Sequence, residues 1–424
     1  TESKLADDAV TADKLANSIN TAIAANTAKD LTALSASNLT SGTIPDARFP
    51  ATLPAVSGAN LTNLPASGKA HNLVINGAMN VAQRGTSSNS SSYQTVDRFA
   101  HLGSGWDAAM TQSQVDVSSS TTPYTLGFRK AFKLQNGNQT SGVQDGDNVV
   151  IRYKVEAQDI ANSGWNYLSS SSNITLSFWI KSSVAKNFYF NFIAPDGTSY
   201  NYPMETGSLT ADTWTKVTKT ISGNSNLTFN NDNGVGLQID WWAYAGANYT
   251  ASSVTLNQWA TYSSGNRVPN DASTWYTTND ATLEITGVQL EVGSVATDFE
   301  HRSFAQELAL CQRYYHVVCR GSDAASSNAC PIISGAMYGT LFYGVYHLKT
   351  QMRTAPTMES VNGTNYYLVY RGGSYDECDE ISTNNLSLYQ CTIRVHNNLS
   401  GTSGDAGWAR TNNGSAFAAF TAEL

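Results

Sequence analysis

Two groups of residues in this chain combine flat aromatic rings with amides and short carboxylates, the mixture that grips a sugar. Aromatic faces cover the apolar C–H faces of a pyranose, while neutral amides and carboxylates hydrogen-bond its hydroxyls. The first group is Asp240, Trp242, Tyr244, Asn248 and Tyr249. Side chains alternate along a strand, so Trp241 is expected to continue the core face of Leu237 and Ile239 and leave Trp242 outward. The alternative packs Trp242 under a loop or against another copy of the chain. The second group, near the C-terminus, is Tyr366, Tyr370, Arg371, Tyr375, Asp376, Trp408 and Arg410, and it is the preferred candidate. Tyr367 falls on the face opposite Tyr366 and Tyr370, so half of these tyrosines are expected in the core.

Other chemistry is thinly represented. Asp376, Glu377, Asp379 and Glu380 repel one another unless a cation or an arginine neutralises them, which makes a Ca²⁺ site conceivable. Their spacing is not that of an EF-hand, and a solvated acidic loop is the competing and preferred reading, so no metal is expected. Five cysteines, with no CxxC among them, favour free buried thiols over a disulfide framework or a zinc knuckle. Cys378 and Cys391 flank a possible hairpin and could bridge it. GxSxG, HExxH, a Walker loop and a GxGxxG before a helix are all missing, and the six histidines are scattered. No enzyme and no cofactor are expected. A glycan-cleaving pair of carboxylates in one groove is the alternative.

Composition narrows the partners. Of 424 residues 14% are charged, against about 25% in an average soluble protein, and the formal net charge is -8. An acidic chain without a basic patch repels phosphate backbones and anionic lipid, so no nucleic-acid partner is expected. No apolar run approaches the roughly 18 residues of a membrane span, so no membrane insertion is expected either.

Four segments must position these residues. Residues 1–70 carry one aromatic, Phe49, and repeat short aliphatic units: Lys4-Leu5-Ala6-Asp7 returns as Lys14-Leu15-Ala16-Asn17. A segment this poor in apolar bulk builds no core alone, so it reads as a fibrous stem of several chains or, alternatively, a linker. Residues 71–302 alternate with period two, as in Ile151, Tyr153, Val155 and in Leu176, Phe178, Ile180, predicting an antiparallel β-sandwich or jelly roll. Residues 303–318 form a helical connector. Ser303 and Gln306 fit a capping box, and Phe304, Leu308, Cys311 and Tyr315 recur at helical spacing. That stripe is read as an oligomer interface, with packing onto the chain's own sandwich as the equal alternative. Residues 319–424 return to strands and predict a second, smaller β domain. The fold class is therefore mainly β.

Certain words of the sequence carry a resemblance. Asn72-Leu73-Val74-Ile75-Asn76-Gly77, Gln83-Arg84-Gly85 and Asp97-Arg98-Phe99 resemble the opening of a β-sandwich module of bacteriophage tail fibres. Ile285-Thr286-Gly287-Val288-Gln289-Leu290-Glu291-Val292-Gly293, Phe299-Glu300-His301-Arg302-Ser303 and Leu308 to Tyr315 resemble its close. Leu176 to Ser182 is similar to the central strand of carbohydrate-binding jelly rolls, Met352 to Thr357 to a segment farther along such phage proteins, and Asn38 to Phe49 to fibre-stem repeats. Where a Trp often precedes Gln-Arg-Gly, this chain has Ala82. The resemblance implies a homotrimeric tail fibre or receptor-binding protein on a virion, with residues 319–424 as its receptor-binding tip. Its partners would be other tail proteins and a host-surface glycan, lipopolysaccharide or similar. A purely structural fibre segment and a glycan-degrading tailspike are the alternatives it leaves open.

Overall fold

The computed structural model describes residues 71–424 and, before them, Ile19, Thr21, Ala22, Ala24 and Ala25, which are helical. The repeat-rich segment otherwise lies outside the described residues. Residues 71–424 fall within one compact unit.

Its first part is a sandwich of two six-stranded antiparallel sheets. Strands β1 (Ser87–Ser88), β2 (Phe99–Ser104), β3 (Thr111–Asp116), β4 (Lys130–Gln135), β5 (Asn148–Glu156) and β6 (Asn173–Ser182) are followed by β7 (Asn187–Ala194), β8 (Tyr200–Ser208), β9 (Thr215–Ser222), β10 (Val235–Ala245), β11 (Ala260–Thr261) and β12 (Thr282–Val292). One sheet runs β1-β3-β4-β12-β6-β9 and the other β11-β8-β7-β10-β5-β2. The period-two pattern is what builds them: Leu176, Phe178 and Ile180 from one sheet meet Phe188, Phe190, Phe192, Leu237, Ile239 and Trp241 from the other, all buried. Phe178 stands edge-on to Phe190 (5.1 Å) and to Trp241 (5.7 Å), the contact that the ring quadrupoles prefer. Short helices α1 (Thr122–Thr125) and α2 (Ala157–Ala161) lie between strands.

In β12 the pairing to β6 slips between Thr286 and Gln289. Gly287 sits there at φ 62°, where a Cβ would come within 2.7 Å of the Phe128 ring, so this bulge depends on glycine. Beside it, Val288 N–H donates to Gly77 O and Leu73 N–H to Leu290 O, which lays the opening segment along the strand.

Helix α3 (Phe304–Gln312) has the capping box: Ser303 Oγ accepts from Gln306 N–H, and Gln306 Oε1 accepts from Ser303 N–H. The expected apolar stripe does not hold. Phe304 is 59% exposed and Leu308 half-buried, while the buried side chains of the helix are Glu307 and Cys311. Tyr315 lies past the helix end in β13 (Tyr315–Arg320) and is buried within the same chain, as is Cys311. Helical spacing cannot carry a stripe beyond the last helical turn. The inward face was set instead by Glu307, whose carboxylate accepts from Asn76 N–H and lies 3.5 Å from Arg302.

The second part adds β14 (Pro331–Tyr338), β15 (Leu341–His347), β16 (Thr357–Val361), β17 (Tyr367–Arg371), β18 (Ser374–Cys378), β19 (Glu380–Asn384), β20 (Gln390–His396), β21 (Ala406–Thr411) and β22 (Phe417–Thr421). A three-stranded sheet, β13-β22-β16, packs on a seven-stranded one, β18-β17-β21-β14-β15-β20-β19. Between them lie Phe342, Tyr367, Val369, Ile381, Ile393, Val395 and Phe420.

Residues of the opening and closing words hold the opening segment to β12 and join the two parts. Asn72 Nδ2 donates to Val288 O, and its Oδ1 accepts from Val74 and Leu290 N–H. Gln83 donates to Asp97 and to Tyr315 O. The Arg84 guanidinium lies 3.5 Å over the Tyr315 ring and Arg98 lies 3.5 Å over Tyr314; both arginines pair with Glu423. Buried Glu156, at the end of β5, takes a bidentate contact from Arg313 at 2.7 and 2.8 Å and the hydroxyl of Tyr314.

Two histidines are buried as neutral rings. His101 on β2 stacks on Trp106 and neither of its nitrogens has a partner; His316 on β13 meets the Tyr346 hydroxyl. Burial lowers both to about 4 from an ordinary 6.5. The unfolded chain therefore takes up protons that the folded one refuses, and stability falls as pH drops from 6.5 toward 4. Burial pushes Asp97 up to about 6, which acts in the opposite sense. His101→Phe isolates one share: between pH 7 and pH 5 its melting temperature should fall less than that of the unaltered protein, by the equivalent of about 2 kcal/mol. Parallel melts that drop equally would show that His101 is not held neutral.

Candidate functional site

The seven-stranded sheet turns one face to its core and the other to solvent. On the outer face, pairing sets Tyr375 of β18 opposite Tyr370 of β17, and Tyr370 opposite Trp408 of β21. Three aromatics from three strands thus form one row. The Tyr370 and Trp408 rings are stacked, with centroids 4.8 Å apart and planes 17° from parallel; Tyr375 is tilted at 5.9 Å. A separation of 4.8 Å is the spacing of neighbouring strands, so these rings stand upright on the sheet, face to face. Tyr375 is 60% and Trp408 40% exposed.

Beyond Trp408 the next partner is Ser334 of β14, an exposed residue with a small side chain. The second face of the Trp408 indole therefore looks over a low floor. Ala336 continues that floor two residues on, and it pairs with Tyr343 of β15. Exposed Val345, two residues after Tyr343 on the same face, supplies a far wall. Gly335 and Gly344 permit this close strand approach: a Cβ on Gly335 would fall 1.7 Å from Tyr343 O. Arg410 extends the row, its guanidinium 5.6 Å from the Tyr370 ring centre.

Other members of the expected group have different work. Arg371 Nη2 pairs with Asp376 at 2.9 Å and also bonds Ser400 O, and Asp376 accepts from the N–H and hydroxyl of Ser400. Burial would raise Asp376, but the Ser400 and Arg371 hydrogen bonds hold its carboxyl below the usual carboxylate range. These two residues pin the loop that carries Ser400. Tyr366 leaves the row because the strand begins only at Tyr367; a turn closed by Tyr366 N–H to Gly363 O leaves its ring half-buried against the core. Tyr367 is buried, as alternation requires.

The acids after Tyr375 are drawn apart to separate partners: Glu377 accepts from Asn412 and Asp379 from Asn365 N–H, while Glu380 lies 3.7 Å from His396. Among the described residues no cluster of three or more His, Cys, Asp or Glu is placed to hold a metal ion. Cys378 and Cys391 are free and buried, on β18 and β20.

The group in the first sandwich does not make an open surface. Asp240 is wholly buried, bidentate with Arg152 at 2.7 and 2.8 Å. Trp242 does face away from the main core, yet it is 1% exposed. Val268 and Tyr249 cover it, and its indole N–H donates to Asn191 Oδ1 at 2.6 Å. The expectation of an outward Trp242 fails because alternation reports the side of a sheet and not what lies over it. Tyr244 is buried in the main core, stacked on Tyr276, because a register shift between Trp242 and Tyr244 reverses its side. Tyr249 is half-buried beneath Arg267 at 5.0 Å, and only Asn248 is exposed.

No family model matches the chain, and no curated protein matches it. Solved structures similar to it include the enzymatically active domain of tailspike protein 4 of bacteriophage CBA120, at 10% identity and a TM-score of 0.28, over 52% of this chain and 21% of that one. The chain thus spans about a fifth of that solved domain. A putative sugar binding protein from Bacteroides thetaiotaomicron is 11% identical with a TM-score of 0.28, over 53% of this chain and 100% of that one. A family 11 carbohydrate-binding module from Clostridium thermocellum is 9% identical with a TM-score of 0.24, over 50% of this chain and 98% of that one.

Proposed function

We propose that this protein binds glycan on a host cell surface as part of a bacteriophage tail fibre. The reading rests on one observation: a row of Tyr375, Tyr370 and Trp408 on one sheet face, ending in an exposed indole whose far side looks over the small Ser334. A pyranose laid against that side covers its C–H face, and Ser334 Oγ and the Arg410 guanidinium lie near for its hydroxyls. Binding without turnover is proposed, since Asp376, Glu377 and Asp379 all accept from neighbours and supply no free carboxylate pair. A homotrimer joined through the repeat-rich stem would suit this role, because three tethered sites convert weak single contacts into firm attachment.

Trp408→Ala tests the reading. Retention on a glycan array and adsorption to host cells should fall by about tenfold or more, as for a central aromatic anchor. The melting temperature should change little, since losing one cross-strand contact costs under about 1 kcal/mol. Normal adsorption by this variant would remove the row as the binding surface.

A further inference from the structure

Lys186 and Asp271 form an ion pair that no binding role uses. Lys186 Nζ lies 2.7 Å from Asp271 Oδ1, with the side chains 4% and 1% exposed. That contact lacks hydrogen-bond alignment, for Oδ1 has no hydrogen-bond partner. The amine donates instead to the carbonyls of Ala272 (2.8 Å) and Ala243 (3.4 Å), over the ring of Phe188. The other carboxyl oxygen, Oδ2, accepts from Ala245 N–H at 3.2 Å. A dry pair like this is a poor stabiliser, since an apolar pair of similar volume does as well. As a reacting pair it is well placed: an amine held 2.7 Å from one carboxyl oxygen, with a backbone N–H on the other oxygen to take up the charge that attack loads onto it.

We propose that Lys186 and Asp271 condense into an intramolecular isopeptide bond. Proton transfer within the pair leaves a neutral amine and a carboxylic acid, the forms that a low dielectric favours. Burial drives each group that way, lowering Lys186 and raising Asp271. Nζ attacks Cγ, the C–N bond forms, and the carboxyl hydroxyl leaves with an amine proton as one water. Nothing is oxidised or reduced. The product ties the residue just before β7 to the stretch before β12 and closes the long loop of chain between them, which restricts the unfolded state.

Mass spectrometry of the denatured full chain decides it. The expected mass is one water below that of the sequence, and a digest should contain one branched peptide joining Lys186 to Asp271. Lys186→Arg should restore the full mass. Asp271→Asn, which offers an amide carbon in the same place, should regain the link with loss of ammonia. Separate linear peptides for both residues in the unaltered protein, even after long incubation, would overturn the proposal. So would a water loss that maps to a succinimide at Asp145-Gly146 or Asp196-Gly197.

Discussion

Glu156→Ala should lower the unfolding free energy by about 3–5 kcal/mol, the scale for removing one partner of a buried ion pair. The carboxylate is 0% exposed and serves Arg313, Tyr314 and Gln158 at once. Burial alone would raise Glu156, but its bonds to Arg313 and Tyr314 outweigh that and hold it below the usual carboxylate range. Its contribution is thus complete above the ordinary carboxylate value and is lost as pH falls through the depressed one. Glu156 ends β5 and Arg313 follows α3, so the loss should loosen the joint between the sandwich and the strands that follow it. Urea midpoints at pH 7 measure the effect. A midpoint within experimental scatter of the unaltered protein would mean that the joint holds without this carboxylate.

Trp242→Ala should cost a similar amount, about 3–5 kcal/mol, as for emptying a large aromatic site. Val150, Ala245 and Val268 would line the void and Asn191 would lose its donor. Trp242→Phe keeps much of the volume and should cost about 1–2 kcal/mol. Both variants should still bind glycan once folded. A Trp242→Ala protein of normal stability that no longer adsorbs to host cells would move the binding surface to the first sandwich.

These outcomes separate two kinds of sequence signal. Strands β5, β6, β7, β10 and β20 were legible because their alternation is long and a one-residue slip would turn every apolar side chain to water. The capping box was legible because its bonds span only three residues. Tyr370 and Trp408 were legible as members of a group, but their stacking depends on β17 and β21 being neighbours, which neither segment states.

By itself the sequence determined a mainly β chain with one capped helix, the inward side of several long strands, and a set of aromatics without catalytic motifs. Three features belonged to the tertiary structure alone. A register shift at Trp242 sent Tyr244 into the core, and the chain around Val268 and Tyr249 covered Trp242. Part of the opening and closing words proved to be a joint, with Arg84 and Arg98 meeting Glu423 across most of the chain. Ser334, with nothing in its own surroundings to mark it, became the floor beside the indole. The physical reason is common to all three. Period and capping are local, fixed by backbone geometry within a few residues, whereas cover, pairing partner and exposure are set by segments far away in the chain.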